Sequence, residues 1–156
     1  MIRFNGFLPE AGQLTDGEIS LVLERTVGWN DSSGLAPTYH FGICKHLDDY
    51  HIDRVGFCDL RIGYGMELFY GGNIGYTVLA PFNGHHYAEK ACRLLFRLAQ
   101  LHNMDELIIT CNPDNLPSKR TCERLGGELL GVFDLPEGNE MRLRGETQKC
   151  VFQYKL

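Results

Sequence analysis

No apolar run in the sequence approaches the roughly 20 residues that a membrane-spanning helix needs. The opening MIRFNGFLPEAGQ also lacks the basic-then-apolar layout of a secretory signal. A soluble, cytoplasmic protein is expected. There is no excess of positive charge: the net charge of −5 leans against phosphate-backbone binding and is compatible with a cationic small substrate, although ordinary solubility explains it equally well. The six cysteines form no CxxC pair and no paired Cys/His spacing, which excludes the common zinc frameworks. They read as reduced thiols acting as small hydrophobes. Repeats, low-complexity tracts and linkers are absent, and 156 residues at 44% hydrophobic suffice for one core, so residues 1–156 are expected to form one domain.

Periodicity then organises what is present. LTDGEISLVLERTVGW has Thr15 and Glu18 in capping-box spacing, Ile19, Val22, Leu23 and Thr26 on one face, and Gly28 as a stop, so an amphipathic helix is predicted. GWNDSSGLAP follows as a loop. TYHFGICKHL and RVGFCDLRI read as an antiparallel strand pair, GYGMELFYGG as a mobile loop, and NIGYTVLA as a strand ended by Pro81. From Gly84 to His102 the apolar positions recur at three and four, the pattern of a long helix. ELIITC is a strand covered on both faces, and LPSKRTCERL a short helix capped by Asn115 and ended by Gly126-Gly127. ELLGVFDL and KCVFQYKL are late strands around the polar, turn-forming PEGNEMRLRGET. An α/β sandwich on one mixed sheet follows.

The informative junction is VLAPFNGHHYAEKACRLL. With Asn83 as the cap, Gly84, His85 and His86 occupy the first helical positions and Phe82 and Tyr87 the staple positions. Unpaired N–H groups and the positive end of the helix dipole then make an anion site, to which the histidines can add donors. A surface helix start with solvated histidines fits the same residues.

A second unit, ITCNPDNLPSKRTCERLGG, runs a buried strand into Asn112, Asn115 and Ser118 before a short helix. Over Asn73 to Gly127 the sequence resembles the GNAT superfamily of acyl-CoA-dependent N-acetyltransferases. In that family an Arg/Gln-x-x-Gly-x-Gly/Ala loop wraps the pyrophosphate of coenzyme A; here Asn83-Gly84-His85-His86-Tyr87-Ala88 keeps the small residues at Gly84 and Ala88, with Asn83 in place of Arg/Gln and His86 in place of a glycine. Asn115, Ser118 and Gly126 match the family's Asn-x-x-Ser/Ala turn and helix end. The resemblance implies a mixed, mostly antiparallel central sheet flanked by helices, with acetyl-CoA as co-substrate, no metal, and a small-molecule or peptide amine as acceptor. It implies that Asn112, Asn115 and Ser118 lie along the pantetheine arm, and that a basic patch of Lys90, Arg93, Lys119, Arg120 and Arg124 faces the 3′-phosphate.

The resemblance also implies that the strand YTVL splays from its neighbour, so that backbone N–H groups near Val78 and Leu79 face the thioester carbonyl. Such fixed donors contribute about 3–4 kcal/mol each in favourable cases. Many family members place a tyrosine acid where this chain has Cys122, which serves either as a weak acid or as packing. Glu67 and Asp59 are the candidate bases, acting through one water, or else are ordinary solvated carboxylates. Trp29, Tyr64 and Tyr70 lie on loops that can rim an acceptor pocket. The rival to catalysis is a GNAT-like module that binds acyl-CoA without turnover. A metal site is poorly supported, because adjacent helical side chains such as His85 and His86 diverge by about 100°. Nucleic-acid and membrane binding find no support, and the chain is expected to be a monomer or homodimer.

Overall fold

The computed structural model describes residues 2–30 and 32–156. Met1, and Asp31 within the predicted loop, lie outside the described residues. The segment after Leu14 is a β-hairpin rather than the predicted helix: β1 (Leu14–Thr15) pairs with β2 (Ile19–Val27). The apparent capping residues make a turn instead. Thr15 Oγ accepts from Gly17 N at 3.1 Å, and Asp16 Oδ1 accepts from Glu18 N and Ile19 N at 2.9 Å each. Asp16 thereby builds a local turn that competes with the helix. Ile19 and Leu21 then point into the core while Val22 is exposed, a period of two that the residues at 19, 22, 23 and 26 obscured.

β3 (Thr38–His46) and β4 (Ile52–Arg61) pair antiparallel as predicted, and β4 pairs with β5 (Ile74–Val78), giving an antiparallel sheet in the order β1-β2-β3-β4-β5. The glycine-flanked stretch between β4 and β5 is not simply a loop. It contains α1 (Met66–Gly71), which buries Leu68. The long helix α2 (Tyr87–Leu101) packs against β2, β4 and β5 through Ala91, Cys92, Leu94, Leu95, Leu98 and Ala99. Each buried leucine on that face contributes about 1.5–3 kcal/mol.

β6 (Glu106–Cys111), the short helix α3 (Leu116–Arg124), β7 (Glu128–Asp134), the helical turn α4 (Glu140–Leu143) and β8 (Gln148–Lys155) complete the chain. The second ladder runs β6-β8-β7, again antiparallel. The mostly antiparallel sheet flanked by helices is therefore present, drawn as two ladders.

The ladders are joined at Asn73, which is 1% exposed. Its N–H donates to Ile108 O at 2.7 Å and its Oδ1 accepts from Ile108 N at 2.8 Å. Its Nδ2 donates to Arg61 O at 3.0 Å and to Gly63 O at 2.9 Å, and its own carbonyl accepts from Arg61 N at 2.7 Å. Beyond this seam β5 and β6 belong to different ladders, so the strands part. Gly72 makes the junction possible, since a Cβ there would lie 3.3 Å from both Ile108 O and Thr110 N.

A second, aromatic seam ties the first residues to the sheet. Leu8 N donates to Tyr39 Oη at 2.7 Å, and that hydroxyl lies 2.6 Å from His102 Nε2. Phe4 and Phe7 close around it with Trp29. Among the described residues no helix is long and apolar enough to cross a membrane.

Candidate functional site

α2 starts later than its sequence suggests. Ala80–Phe82 form one tight turn, and Asn83, Gly84 and His85 remain outside the helix. His86, not Asn83, is the N-cap residue. Lys90 N donates to His86 O at 3.0 Å, so the N–H groups of Tyr87, Ala88 and Glu89 precede the first intrahelical bond. Phe82 and Tyr87 still pack toward the core, but the displaced cap removes the staple relation between them.

His86 holds φ +60°, the left-handed region where glycine is favoured. Its ring leans out toward Glu89, with Nδ1 3.6 Å from Oε2, and is more than half exposed. The loop thus keeps a glycine-like backbone with a histidine in it. Replacing His86 with Gly is expected to raise stability by about 1 kcal/mol in denaturant unfolding. A loss of stability would mean that the contact with Glu89 outweighs the backbone strain.

A cleft of about 570 Å³ opens at this helix mouth, walled by β5, the 83–88 loop and α3. It brings together Val78, Asn83, Gly84, His85, His86, Tyr87, Ala88, Asn115 and Ser118 from the expected set. Arg120 and Arg124 line it as well. Beyond Gly84 a Cβ would meet nothing within 4 Å, so the loop leaves room for a close ligand. Arg124 Nε lies 3.4 Å from Glu89 Oε2, and Arg93 donates to Glu89 Oε1 at 3.1 Å. Burial pushes the Glu89 carboxyl up, but the hydrogen bonds and charge of Arg93 and Arg124 outweigh it and hold it below its ordinary range. Lys90 is turned away, paired with Asp16 at 3.3 Å and Glu18 at 2.9 Å, and Lys119 does not line the cleft. Of the expected basic patch, the two α3 arginines remain at the cleft wall.

Asn115 is both a cap and part of the wall: its Oδ1 accepts from Ser118 N at 3.2 Å. Asn112 is not at the wall. Its side chain donates to Glu146 at 2.9 Å and accepts from Lys149 Nζ at 2.6 Å, which satisfies an ammonium that is 7% exposed. Leu79 N donates to Val55 O at 2.8 Å, so that N–H is spent within the sheet. N–H groups alternate between the two edges of a strand, and the neighbouring Val78 N–H therefore points to the edge where β5 parts from β6.

Cys122 is fully buried and does not reach the cleft. A hydrogen bond with Cys111 draws its pKa down against the burial that pushes it up. Glu67 is exposed in the first turn of α1 and lines neither this cleft nor the groove described next. Trp29, Tyr64 and Tyr70 are likewise absent from both walls. Trp29 belongs to the aromatic seam, Tyr64 donates to Asp105 Oδ1 at 2.8 Å, and Tyr70 gives its carbonyl to Thr110 at 3.0 Å.

On the opposite face of the sheet lies a polar groove of about 410 Å³, lined by Glu24, Arg25, His40, Asp59, Arg61 and Thr77 among others. Asp59 pairs with Arg61 at 3.0 Å and accepts from Gly75 N at 3.2 Å. His40 stands across from it on β3 in register. Burial first, then Arg25 and Arg61, lower the His40 pKa, with Asp59 opposing them. The imidazole is therefore neutral near pH 7. Sequence spacing hides this pair, because residues 40 and 59 meet only through strand pairing. Among the described residues no group of three or more His, Cys, Asp or Glu could hold a metal ion.

A family model described as "Acetyltransferase (GNAT) domain" matches residues 3–128. "Uncharacterized N-acetyltransferase YnaD" of Bacillus subtilis (strain 168) is 30% identical over 89 residues, covering 53% of this chain and 52% of that protein. Similar folds include the microcin C7 self immunity acetyltransferase MccE in complex with acetyl-CoA and AMP, at TM-score 0.58 and 21% identity over 76% of this chain and 61% of that one. An acetyltransferase (GNAT family) from Bacillus anthracis aligns at TM-score 0.57 and 23% identity, over 74% and 65%. At these identities the structural likeness is one of fold. The chain spans about half the length of the curated relative it matches.

Proposed function

The chain belongs to the acetyltransferase (GNAT) family, and on that premise we propose that it transfers the acetyl group of acetyl-CoA directly to a primary amine of a small molecule or peptide terminus. The observation that carries this reading is the convergence of the α2 mouth, the α3 turn and the free edge of β5 on one cleft. The first-turn N–H groups of α2, with Arg120 and Arg124, suit the pyrophosphate and its flanking phosphate. Gly84 and Ala88 supply the room, Asn115 and Ser118 suit the amides of the pantetheine arm, and the Val78 N–H suits the thioester carbonyl oxygen as charge develops there.

The acceptor amine enters from the groove on the other face, where Glu24 and Asp59, paired with Arg54 and Arg61, offer carboxylate oxygens to accept its hydrogen bonds. A neutral His40 beside Asp59 is the group ready to take the amine's proton, directly or through one water. Glu67 has no part in this arrangement. The protein acts in the cytoplasm, with residues 1–156 as a single acyl-CoA-binding unit.

A second reading, acyl-CoA binding without turnover, is favoured by one observation: Cys122 stands where many relatives carry a tyrosine acid, and it is sealed in the core. Isothermal titration with acetyl-CoA, followed by a panel of primary amines with detection of released thiol, separates the readings. Saturable binding with amine-dependent thiol release is the expected result. Binding with no release from any amine would favour the sensor, and no binding would remove both.

A further inference from the structure

The acceptor groove owes its charge to a break in strand alternation. Along β2, Leu23 pairs with Phe41 and Arg25 with His40, so Glu24 is an extra residue in a β-bulge. Neighbouring side chains on a regular strand face opposite ways, yet Glu24 and Arg25 both line the groove. The carboxylates there are already matched. Glu24 pairs with Arg54 across Gly42, where a Cβ would lie 2.8 Å from Glu24 Oε1 and 3.0 Å from Arg54 Nη2. The Arg54 guanidinium is in turn seated over the Phe57 ring, 4.7 Å from its centroid. Asp59 pairs with Arg61 at 3.0 Å.

Arg25 is the charge left over. It is exposed, and among the described residues it has neither a hydrogen bond nor an ion pair. Two carboxylates against three guanidiniums, with His40 neutral, leave one positive charge at the groove. That charge disfavours the ammonium form of a bound amine and so favours the neutral form that attacks a thioester. It also repels an acceptor whose only charge is its ammonium. An acceptor that brings its own anion meets both demands. A carboxylate matches a surplus of one, whereas a phosphate monoester, at about −1.5 to −2, would turn its excess on Glu24 and Asp59. Arg25, His40, Asp59 and Gly75 stand in register across β2, β3, β4 and β5. Three strand spacings, about 14 Å at the backbone, thus separate Arg25 from the strand that fronts the acyl cleft. The arginine side chain covers part of that distance, and the rest falls to the acceptor.

Resting on the acetyl-transfer reading above, we propose that the acceptor is an amino-carboxylate whose carboxylate lies several bonds from its amine, and that Arg25 binds that carboxylate. The guanidinium offers parallel N–H donors to the two carboxylate oxygens. The amine then extends over β4 toward β5, beside His40 and Asp59. A free α-amino acid is too short for this span, because one carbon bears both of its charged groups. An ω-amino acid, and a peptide with an acidic side chain close behind its amino terminus, share the required chemistry. The bulge is what selects them: with regular alternation at residues 23–25, Glu24 and Arg25 would stand on opposite faces of the sheet.

The test titrates matched acceptors into the coenzyme A complex of the native protein, of Arg25→Lys and of Arg25→Gln, followed by nuclear magnetic resonance. One pair is ε-aminocaproate and its amide; the other is a tripeptide amide with glutamate at its second residue and the same peptide with glutamine there. In at least one pair the carboxylate member is expected to bind the native protein on the order of tenfold tighter, with the gain reduced in Arg25→Lys and absent in Arg25→Gln. A gain confined to the first pair assigns a small-molecule acceptor, and one confined to the second an acidic amino terminus. Acetyl transfer is expected to show the same preference through KM rather than kcat. Equal affinity within both pairs, or a preference that survives in Arg25→Gln, overturns the role of Arg25 while leaving acetyl transfer standing. A gain for glycine over glycinamide as large as that for ε-aminocaproate overturns the spacing. Failure of coenzyme A to bind the native protein overturns the cofactor reading, and this one with it.

Discussion

Asn73→Asp is expected to destabilise the protein by about 4 kcal/mol. The substitution is nearly isosteric, so shape is not the cause. The Nδ2 group that donates to Arg61 O and Gly63 O becomes an oxygen facing two carbonyl oxygens, at a position 1% exposed. Each buried acceptor left without its donor costs about 1–3 kcal/mol, and the carboxylate itself resists burial. Total stabilities lie in the range of about 5–15 kcal/mol, so a large share disappears at one residue. Because the ionised form is the poorly solvated one, the loss deepens as pH rises through the carboxylate's pKa. Urea unfolding of both proteins at two pH values checks this. A loss below about 1 kcal/mol would show that the two ladders are held together elsewhere.

Ala88→Asp separates the cleft from the fold in the opposite way. Ala88 sits in the first turn of α2 at the cleft wall. A carboxylate there interacts favourably with the positive end of the helix, so the melting temperature should hold or rise slightly, an effect of about 0.3–1 kcal/mol. The same carboxylate competes for the donors proposed to receive the pyrophosphate and repels it. Acetyl-CoA affinity is expected to fall about a hundredfold, or roughly 2.7 kcal/mol. Unchanged affinity by calorimetry would place the phosphates away from this helix mouth.

The parts of the molecule that were legible in sequence are those where local chemistry and tertiary role agree. The long helix, the α3 cap at Asn115 and the strand pair β3–β4 all follow from periodicity and turn residues. The 83–88 loop and the 115–118 turn, singled out by their resemblance to a family, meet at the walls of one cleft. What failed did so for identifiable reasons. The stretch 14–27 carries a helical and a strand period at once, and the Asp16 turn decided between them. α1 is only six residues long, too short for a period to show between glycines. Leu79 and Asn112 were sound by type, yet backbone pairing and a buried ammonium claim them. Asn73 and His40 take their importance from partners 10 to 35 residues away, as Gly63, Asp59 and Ile108 show. Spacing along a chain carries no signal for such contacts.

All six cysteines are buried in the folded state. The thiols of Cys44, Cys58, Cys92 and Cys150 are pushed up by that burial, and Cys111 by its bond to Cys122 and then by burial. A thiol reagent reacts with exposed thiolate, so the native protein is chemically silent toward it. Coenzyme A set free in solution is then the thiol such a reagent sees, against a background that grows only when the core opens. One colour reaction therefore reports two things on separate timescales: turnover in its fast phase, and the protein's own opening in its slow one.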